Sequence, residues 1–175
     1  MAEAFKVWKT IVMGTAGLRT GQDFIRAIKD RGMEVRHFAE LIMNSPQFRV
    51  AEKETKVGLV SVSVSDLGFD KVDESRGIIG GTGRQIYARA KELGLQLCPA
   101  EVGPQLRLQY PEQSGREWLV VAMGAIVDSF NQPWLFRVEH DKERNGDILS
   151  LCVFCGRLDS LCPEDFRFVF ALPGG

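Results

Sequence analysis

The chain has 175 residues and a formal net charge of −1, with 45% hydrophobic and 26% charged residues. These values are ordinary for a soluble globular protein and leave enough apolar side chains for a substantial core. A chain with almost no net charge lacks the basic excess that attracts nucleic acid or an anionic membrane. We therefore expect a single domain, residues 1–175, for which nucleic acid is a disfavoured partner.

The termini and cysteines bear on location. No apolar run approaches the roughly 20 residues that a membrane-spanning helix needs. The N-terminal segment, Met1–Lys6, lacks the charged and apolar regions of a signal peptide. The four cysteines are then expected as free thiols in a reducing compartment. We predict a cytoplasmic protein that does not bind membranes.

The first part of the chain, residues 1–94, predicts helices and one strand. Thr20 and Asp23 have the spacing of a capping box, and apolar residues at helical spacing follow until Gly32. Alternating valine and serine predict a half-buried strand further on. The predicted elements are helices between Thr20 and Gly32, over 34–43 and over 84–93, and a strand over 57–65.

The second part, residues 95–175, predicts antiparallel strands. Leu106, Leu108 and Tyr110 alternate with polar residues, and later segments are apolar on one or both faces. Asn145-Gly146-Asp147 indicates a tight hairpin turn. The predicted strands cover 105–110, 118–127, 134–139, 148–155 and 166–170. The fold class is thus α+β, with N-terminal helices packed on a mainly antiparallel sheet, a meander of about five strands.

Residues 94–110 read GLQLCPAEVGPQLRLQY. This segment resembles a group of small uncharacterised bacterial proteins that share a core of the form GLELCPAEVGPQLRLQY. Val7–Ile11, Ser65–Phe69 and Phe168–Phe170 are similar to other parts of the same family. The resemblance implies no reaction, cofactor or catalytic residue, so function has to be argued from the residues themselves.

Arginines on the predicted strands suggest a binding surface. Arg107, Arg137 and Arg167 each lie on the strand face opposite to leucine or aromatic residues. If the strands pair in sequence, one face of the sheet carries charge. Such a face receives an anionic ligand or an acidic partner segment, or it is a solvated surface with cross-strand ion pairs.

We place the candidate site on this face, together with polar residues of the family-like segment. Its predicted ligand- or partner-binding residues are Glu101, Gln105, Arg107, Tyr110 and Arg137. The favoured function is a binding module for a small ligand or a partner protein. An enzyme acting on an anionic small molecule is the alternative, and a pocket holding Glu101 and Arg107 beside a histidine would favour it. The ligand, the partner and homo-oligomerisation through an exposed edge strand stay open.

Cysteines offer a third class of function. Cys152 and Cys155 have the Cys-x2-Cys spacing of a zinc knuckle, and Cys162 and Cys98 could complete four thiolate ligands. Residues three apart on a strand point to opposite faces, however, and free cysteine is a common core residue. We therefore expect buried thiols and no cofactor, with a cysteine-bound zinc module as the alternative.

A glycine-rich loop, residues 77–83, precedes the helix predicted at 84–93. Backbone N–H groups at such a position can hold a phosphate. The loop has no Gly-Lys-Ser/Thr sequence, and its apolar Ile78-Ile79 pair is unlike a phosphate cradle. The favoured interpretation is a loop with Thr82 as the N-cap of the helix.

Overall fold

The computed structural model describes residues 5–143 and 146–174. Its four α-helices are α1 (Gly21–Asp30), α2 (His37–Met43), α3 (Gly83–Glu92) and α4 (Val102–Gln109). Its strands are β1 (Lys9–Met13), β2 (Glu34–Val35), β3 (Thr55–Ser63), β4 (Val72–Asp73), β5 (Ile78–Thr82), β6 (Trp118–Val121), β7 (Ile126–Val127), β8 (Pro133–Glu143), β9 (Gly146–Cys155), β10 (Leu161–Pro163) and β11 (Arg167–Ala171). No helix in these two ranges is long and apolar enough to cross a membrane.

One large mixed sheet organises the fold. Its strand order is β1-β3-β11-β6-β8-β9-β2, and β7 pairs with β8 beside this path. The pairs β11–β6 and β2–β9 are parallel, while the other pairs are antiparallel. A small antiparallel sheet, in the order β10-β5-β4, forms from segments on either side of α3 and α4.

The predicted α+β class is confirmed in its coarse form, but its details are wrong. The helix predicted over 84–93 is present as α3, but the helices are not all in the N-terminal part, because α4 lies beyond residue 94. The sheet is mixed, because the last strand does not continue the meander. Instead β11 inserts between β3 and β6, where its Phe168 and Phe170 meet Val62 and Val60. This position places an apolar strand at the centre of the sheet, where both of its faces are buried.

Two capping boxes fix helix starts that the sequence predicted. Thr20 Oγ1 accepts from Asp23 N (3.2 Å), while Asp23 Oδ2 accepts from Thr20 N (2.9 Å). Thr82 makes the same exchange with Gln85 at the start of α3. The predictions of a helix after Thr20 and of Thr82 as an N-cap are therefore confirmed, because local side-chain bonds satisfy the free N–H groups of the first turn.

Other predicted boundaries are wrong where tertiary pairing overrides local pattern. The helix predicted over 34–43 begins at residue 37, because β2 pairs with β9 first. The strand predicted over 118–127 is interrupted between β6 and β7. The glycine-rich segment predicted as a loop contains β5, which pairs with β10 and β4. Asn145 of the predicted hairpin and Met1–Ala4 lie outside the described residues; β8 and β9 pair antiparallel.

The most consequential error concerns 105–110, which forms helix α4 and not a strand. All residues from Val102 to Leu108 are buried. Leu106 and Leu108 are two residues apart, which is the spacing of one face of a strand. A helix that is enclosed on opposite sides also buries residues two apart, so the same pattern occurs there. Pro104 is tolerated because it lies in the first turn, where no intrahelical N–H bond is required.

Helix α4 packs directly on the sheet through a glycine. A Cβ atom on Gly103 would lie 2.5 Å from ring atoms of Phe136 in β8. Phe136 is fully buried and also packs edge-to-face on Phe48. Residue 103 therefore sets how closely α4 approaches the sheet, and it defines the α4 side of the sheet as the side to which Phe136 points.

Gly103→Ala should destabilise the protein by about 1–3 kcal/mol, because the added methyl group overpacks the contact with Phe136. The matched control is Gly124→Ala, where a Cβ would meet no atom within 4 Å. Urea denaturation followed by circular dichroism measures both. Equal midpoints for the two variants would contradict the packing of α4 on β8.

Candidate functional site

Two residues of the predicted site, Glu101 and Gln105, lie in the interior. Each is 1% exposed. Glu101 accepts from the backbone N–H groups of Gly14 and Ala51, both at 2.7 Å, and from Gln105 Nε2 at 3.0 Å. A buried carboxylate with three donors is fully engaged. These side chains join α4 to the segments after β1 and before β3, and a ligand cannot reach them without a rearrangement.

Arg107 is also fully buried and is held by oxygen acceptors of uncharged groups. Nη1 donates to Gln113 Oε1 (2.6 Å) and to the carbonyl of Glu139 (3.0 Å), while Nη2 donates to the carbonyl of Tyr110 (2.6 Å). Burial lowers the pKa of Arg107 to about 10, and nearby Tyr110 and Glu112 partly oppose that shift. The guanidinium is therefore still charged at neutral pH and ties the end of α4 to β8 and to the following loop.

The structure does not bring Arg107 and Arg137 onto one surface. Phe136 points toward α4, and adjacent residues of a strand point to opposite faces, so Arg137 points away from α4. Arg107 belongs to α4 itself. The predicted charged face that combined these two arginines is therefore wrong, because residues 105–110 are not a strand of the sheet.

Arg167 does not share a face with Arg137 either. Arg167 pairs with Leu119 of β6, whereas Arg137 pairs with the next residue, Val120. The Arg167 guanidinium donates to the hydroxyl and the carbonyl of Ser61, both at 3.2 Å. Strand alternation therefore points these two side chains to opposite faces of the sheet, although both arginines contribute to the lining of one small cavity.

Arg137 and Tyr110 are the members of the predicted site that are not buried in the core. Arg137 Nε donates to Glu139 Oε2 (2.8 Å), and the guanidinium lies 4.6 Å from the centroid of the Trp118 ring. Tyr110 donates to Glu117 Oε2 (3.1 Å). Burial, reinforced by Glu117, raises the pKa of Tyr110 to about 12. Both side chains thus already have charged partners within the protein.

The cysteines do not converge on a metal site. In residues 5–143 and 146–174, no group of three or more His, Cys, Asp or Glu side chains is placed to hold a metal ion. Cys98 is buried and its thiol donates to the carbonyl of Val169 (3.4 Å), and burial raises its pKa. Burial and Cys155 raise the pKa of Cys162 to about 11. All four are free thiols, so the zinc alternative gains no support.

A cavity of about 730 Å³ lies beside α3, on a surface that the sequence did not single out. We call it the α3 groove. Its lining is mainly apolar, with charged and hydroxyl groups from two segments. The lining residues are Arg84, Tyr87, Leu97, Met123, Gly124, Ala125, Pro133, Leu135, Gly156, Arg157, Leu158, Asp159 and Ser160.

Backbone bonds hold the rim of the α3 groove against the start of α3. Gly83 N donates to the carbonyl of Ser160 (3.2 Å), and Arg84 N donates to the carbonyl of Leu158 (2.9 Å). Gln85 N is bonded to the capping Thr82 hydroxyl. The first N–H groups of α3 are therefore occupied. The phosphate-cradle interpretation of the glycine-rich segment loses its donors for this reason.

Tyr87 fixes the floor of the groove. Its hydroxyl donates to the carbonyl of Met123 (3.1 Å) and accepts from Met123 N (3.2 Å). Burial raises the pKa of Tyr87, so the phenol stays protonated under ordinary conditions. The apolar face of the ring packs edge-to-face on Phe170. Because both polar functions of the hydroxyl are engaged, Tyr87 presents mainly ring surface to the groove.

Two positively charged residues, Arg84 and Arg157, lie at the rim of the mainly apolar groove. Arg84 Nη2 lies 3.3 Å from Asp159 Oδ1, and both side chains are largely exposed. Arg157 Nη2 donates to the neutral amide oxygen of Gln132 (3.0 Å). An exposed pair of this kind is worth roughly 0–1 kcal/mol, so an anionic ligand can compete for Arg84.

Sequence reasoning missed this cavity because its walls come from separate segments. It includes residues of α3 and β8, Leu97, and the segments 123–125 and 156–160. No pair of these residues has a recognisable spacing in the chain. The predicted enzyme pocket also does not form, because Glu101 and Arg107 have essentially no exposed surface.

Comparisons of the chain with protein-family models, with curated proteins and with solved structures found no match. The resemblance of residues 94–110 to a small bacterial family therefore stays a prediction. The geometry of the described residues carries the functional argument alone.

Arg107→Met should destabilise the protein by about 3 kcal/mol or more, because two buried acceptors and one partly buried acceptor lose their donor, and each buried one costs roughly 1–3 kcal/mol. A surface ligand contact, as the sequence predicted, would not have this effect. Arg116→Met is the matched control at an exposed position and should change stability by less than about 0.5 kcal/mol. Equal denaturant midpoints for both variants would disprove the structural role of Arg107.

Proposed function

We propose that this protein is a binding module that holds an anionic small molecule with an apolar body in the α3 groove. The supporting observation is the combination of an apolar cavity of about 730 Å³ with the guanidinium groups of Arg84 and Arg157 at its rim. Ligand sites commonly enclose roughly 300–1,000 Å³ and are mainly apolar with a few placed polar groups. The groove has these properties, and its cations specify the sign of the ligand charge.

The smaller cavity around Arg137 is a weaker candidate for ligand binding. It encloses about 280 Å³, and its charged lining residues are Arg116, Arg137 and Arg167 together with the carboxylates of Glu117 and Asp165. Arg137 is already paired with Glu139 and stacked on Trp118. An anion that binds Arg137 would have to displace a partly buried ion pair, whereas an anion at Arg84 displaces only an exposed one.

The proposal keeps the predicted class, a binding module, and moves its site from the sheet face to α3. The groove lining includes Ser160 and Asp159 but no histidine or cysteine, and Asp159 is paired with Arg84. Binding is therefore the simpler function for this cavity. Four free thiols are consistent with the proposed cytoplasmic location.

The fluorescent probe 8-anilinonaphthalene-1-sulfonate, an anionic group on an apolar ring system, tests the site. We expect about one bound probe per chain, and we expect Arg84→Ala with Arg157→Ala to weaken binding about tenfold or more, because charge-assisted bonds are lost. The control pair is Arg26→Ala with Arg49→Ala, at exposed positions that do not line the groove. Equal affinities for the two double variants would overturn the proposal.

Asp159→Asn should strengthen binding of the same probe by about twofold to fivefold at low salt, because Arg84 is released from its exposed pair and a nearby negative charge is removed. Asp165→Asn, outside the α3 groove, is the control and should change the affinity little. Weaker binding by Asp159→Asn would mean that the anion does not contact Arg84. Titrations at two ionic strengths separate the local effect from general charge.

A further inference from the structure

A second apolar cavity lies next to the α3 groove. It encloses about 390 Å³ and is lined by Tyr87, Ala88, Ala90, Lys91, Leu95, Gln96, Leu97 and Phe170. Two residues, Tyr87 and Leu97, line both cavities. The two spaces are therefore neighbours that share one pair of side chains, and we call the two cavities together the trough.

The trough has a direction and a minimum length. Arg84 lines the first cavity and Lys91 the second. Seven residues of α-helix separate them, which corresponds to about 10 Å along the helix axis. Between these positions the trough presents Tyr87, Ala88 and Leu97, which are aromatic or aliphatic. A ligand that fills the trough is thus longer than it is wide and apolar over most of its length.

Leu97 gives an independent indication that the trough is built for apolar contact. Leu97 is 45% exposed, whereas Leu95, two residues earlier, is buried. The neighbouring Gln96 exchanges both backbone bonds with Ala171 of β11, and Cys98 N donates to the carbonyl of Ala122. The backbone on each side of Leu97 is therefore fixed, and these bonds hold an exposed aliphatic side chain between the two cavities.

We infer that the ligand of the α3 groove is a fatty carboxylate, with its head group at Arg84 and Arg157 and its chain extending over Tyr87 and Leu97 into the second cavity. This inference rests on the proposed function and specifies its ligand class. The first cavity carries two guanidinium groups, of which Arg84 is paired with Asp159, and the second carries the single ammonium group of Lys91. We assign the head group to the arginine end because a guanidinium binds a carboxylate in bidentate geometry, which an ammonium group cannot do. The apolar walls then take the chain, whose burial supplies most of the affinity.

Calorimetric titration with hexanoate, octanoate, decanoate and dodecanoate tests the inference on the full chain. Each added methylene should increase the affinity about fourfold while the chain is still entering the trough. Ala88→Trp places a large ring in the second cavity and should flatten this increase for the longer chains while hexanoate binding is retained. Ala16→Trp, at an exposed position outside both cavities, should leave the series unchanged.

Leu97→Asp is a second test variant, which acts by adding charge to the trough and not by filling the cavity. It should weaken dodecanoate binding by a larger factor than hexanoate binding, because the added carboxylate lies beside the chain. Affinities independent of chain length, or an unchanged series in both Ala88→Trp and Leu97→Asp, would overturn the fatty-carboxylate inference. If the sulfonate probe still binds in that case, the proposed function stands. If neither the probe nor any carboxylate binds, the proposed function fails as well.

Discussion

Burial of helix α4 with its polar side chains is the constraint on which this fold depends. The helix is enclosed from Val102 to Leu108, so every polar group that it carries needs a partner inside the protein. Glu101 meets two backbone N–H groups, and the two Nη atoms of Arg107 meet two carbonyls and an amide, whereas Arg107 Nε is buried without a hydrogen-bond partner. Gln109 exchanges two bonds with Val12, a residue of the edge strand β1, at 2.8 and 2.9 Å. The helix thereby occupies part of an edge that would otherwise offer free backbone groups.

This arrangement determines which arginines are able to meet a ligand. Arg107 is bonded inside the protein, Arg137 is paired with a buried glutamate, and Arg167 is bonded to Ser61. Arg84 and Arg157, in contrast, have one exposed or neutral partner each. A ligand that binds Arg107 or Arg137 must displace their present partners and leave buried acceptors or a buried carboxylate unpaired. That costs far more free energy than displacing an exposed partner. The α3 groove is therefore a better candidate site than the sheet face because its arginines are accessible to a ligand, and not because it carries more charges.

Local signals in the sequence predict the parts of the fold that local chemistry specifies. Thr20 with Asp23 defines the start of α1, and the apolar alternation at 166–170 defines the last strand, because neighbouring residues decide both. The pairing partner of that strand depends on the rest of the chain, so the insertion of β11 beside β6 was not predictable. Residues 105–110 show the opposite limit: their alternation indicates burial correctly, but burial on two sides of a helix produces the same pattern as burial on one face of a strand.

The candidate site was harder to predict than the fold because most of its polar groups are hydrogen-bonded within the protein and are not available to a ligand. The Tyr87 hydroxyl is fully bonded to Met123, and the first N–H groups of α3 are bonded to Ser160, Leu158 and Thr82. A sequence that places a glycine-rich segment before a helix suggests free donors for phosphate, yet the backbone pairing with residues 158–160 consumes them. What is left facing the groove is mainly ring and aliphatic surface, together with Ser160, Arg157 and the exposed Arg84–Asp159 pair. Water cannot satisfy an apolar surface, whereas it readily solvates exposed cations, so the apolar walls and not the arginines supply the larger part of the driving force for binding. The arginines determine selectivity. They do not increase the affinity for a neutral apolar molecule, but they do increase the affinity for an apolar molecule with an anionic head group.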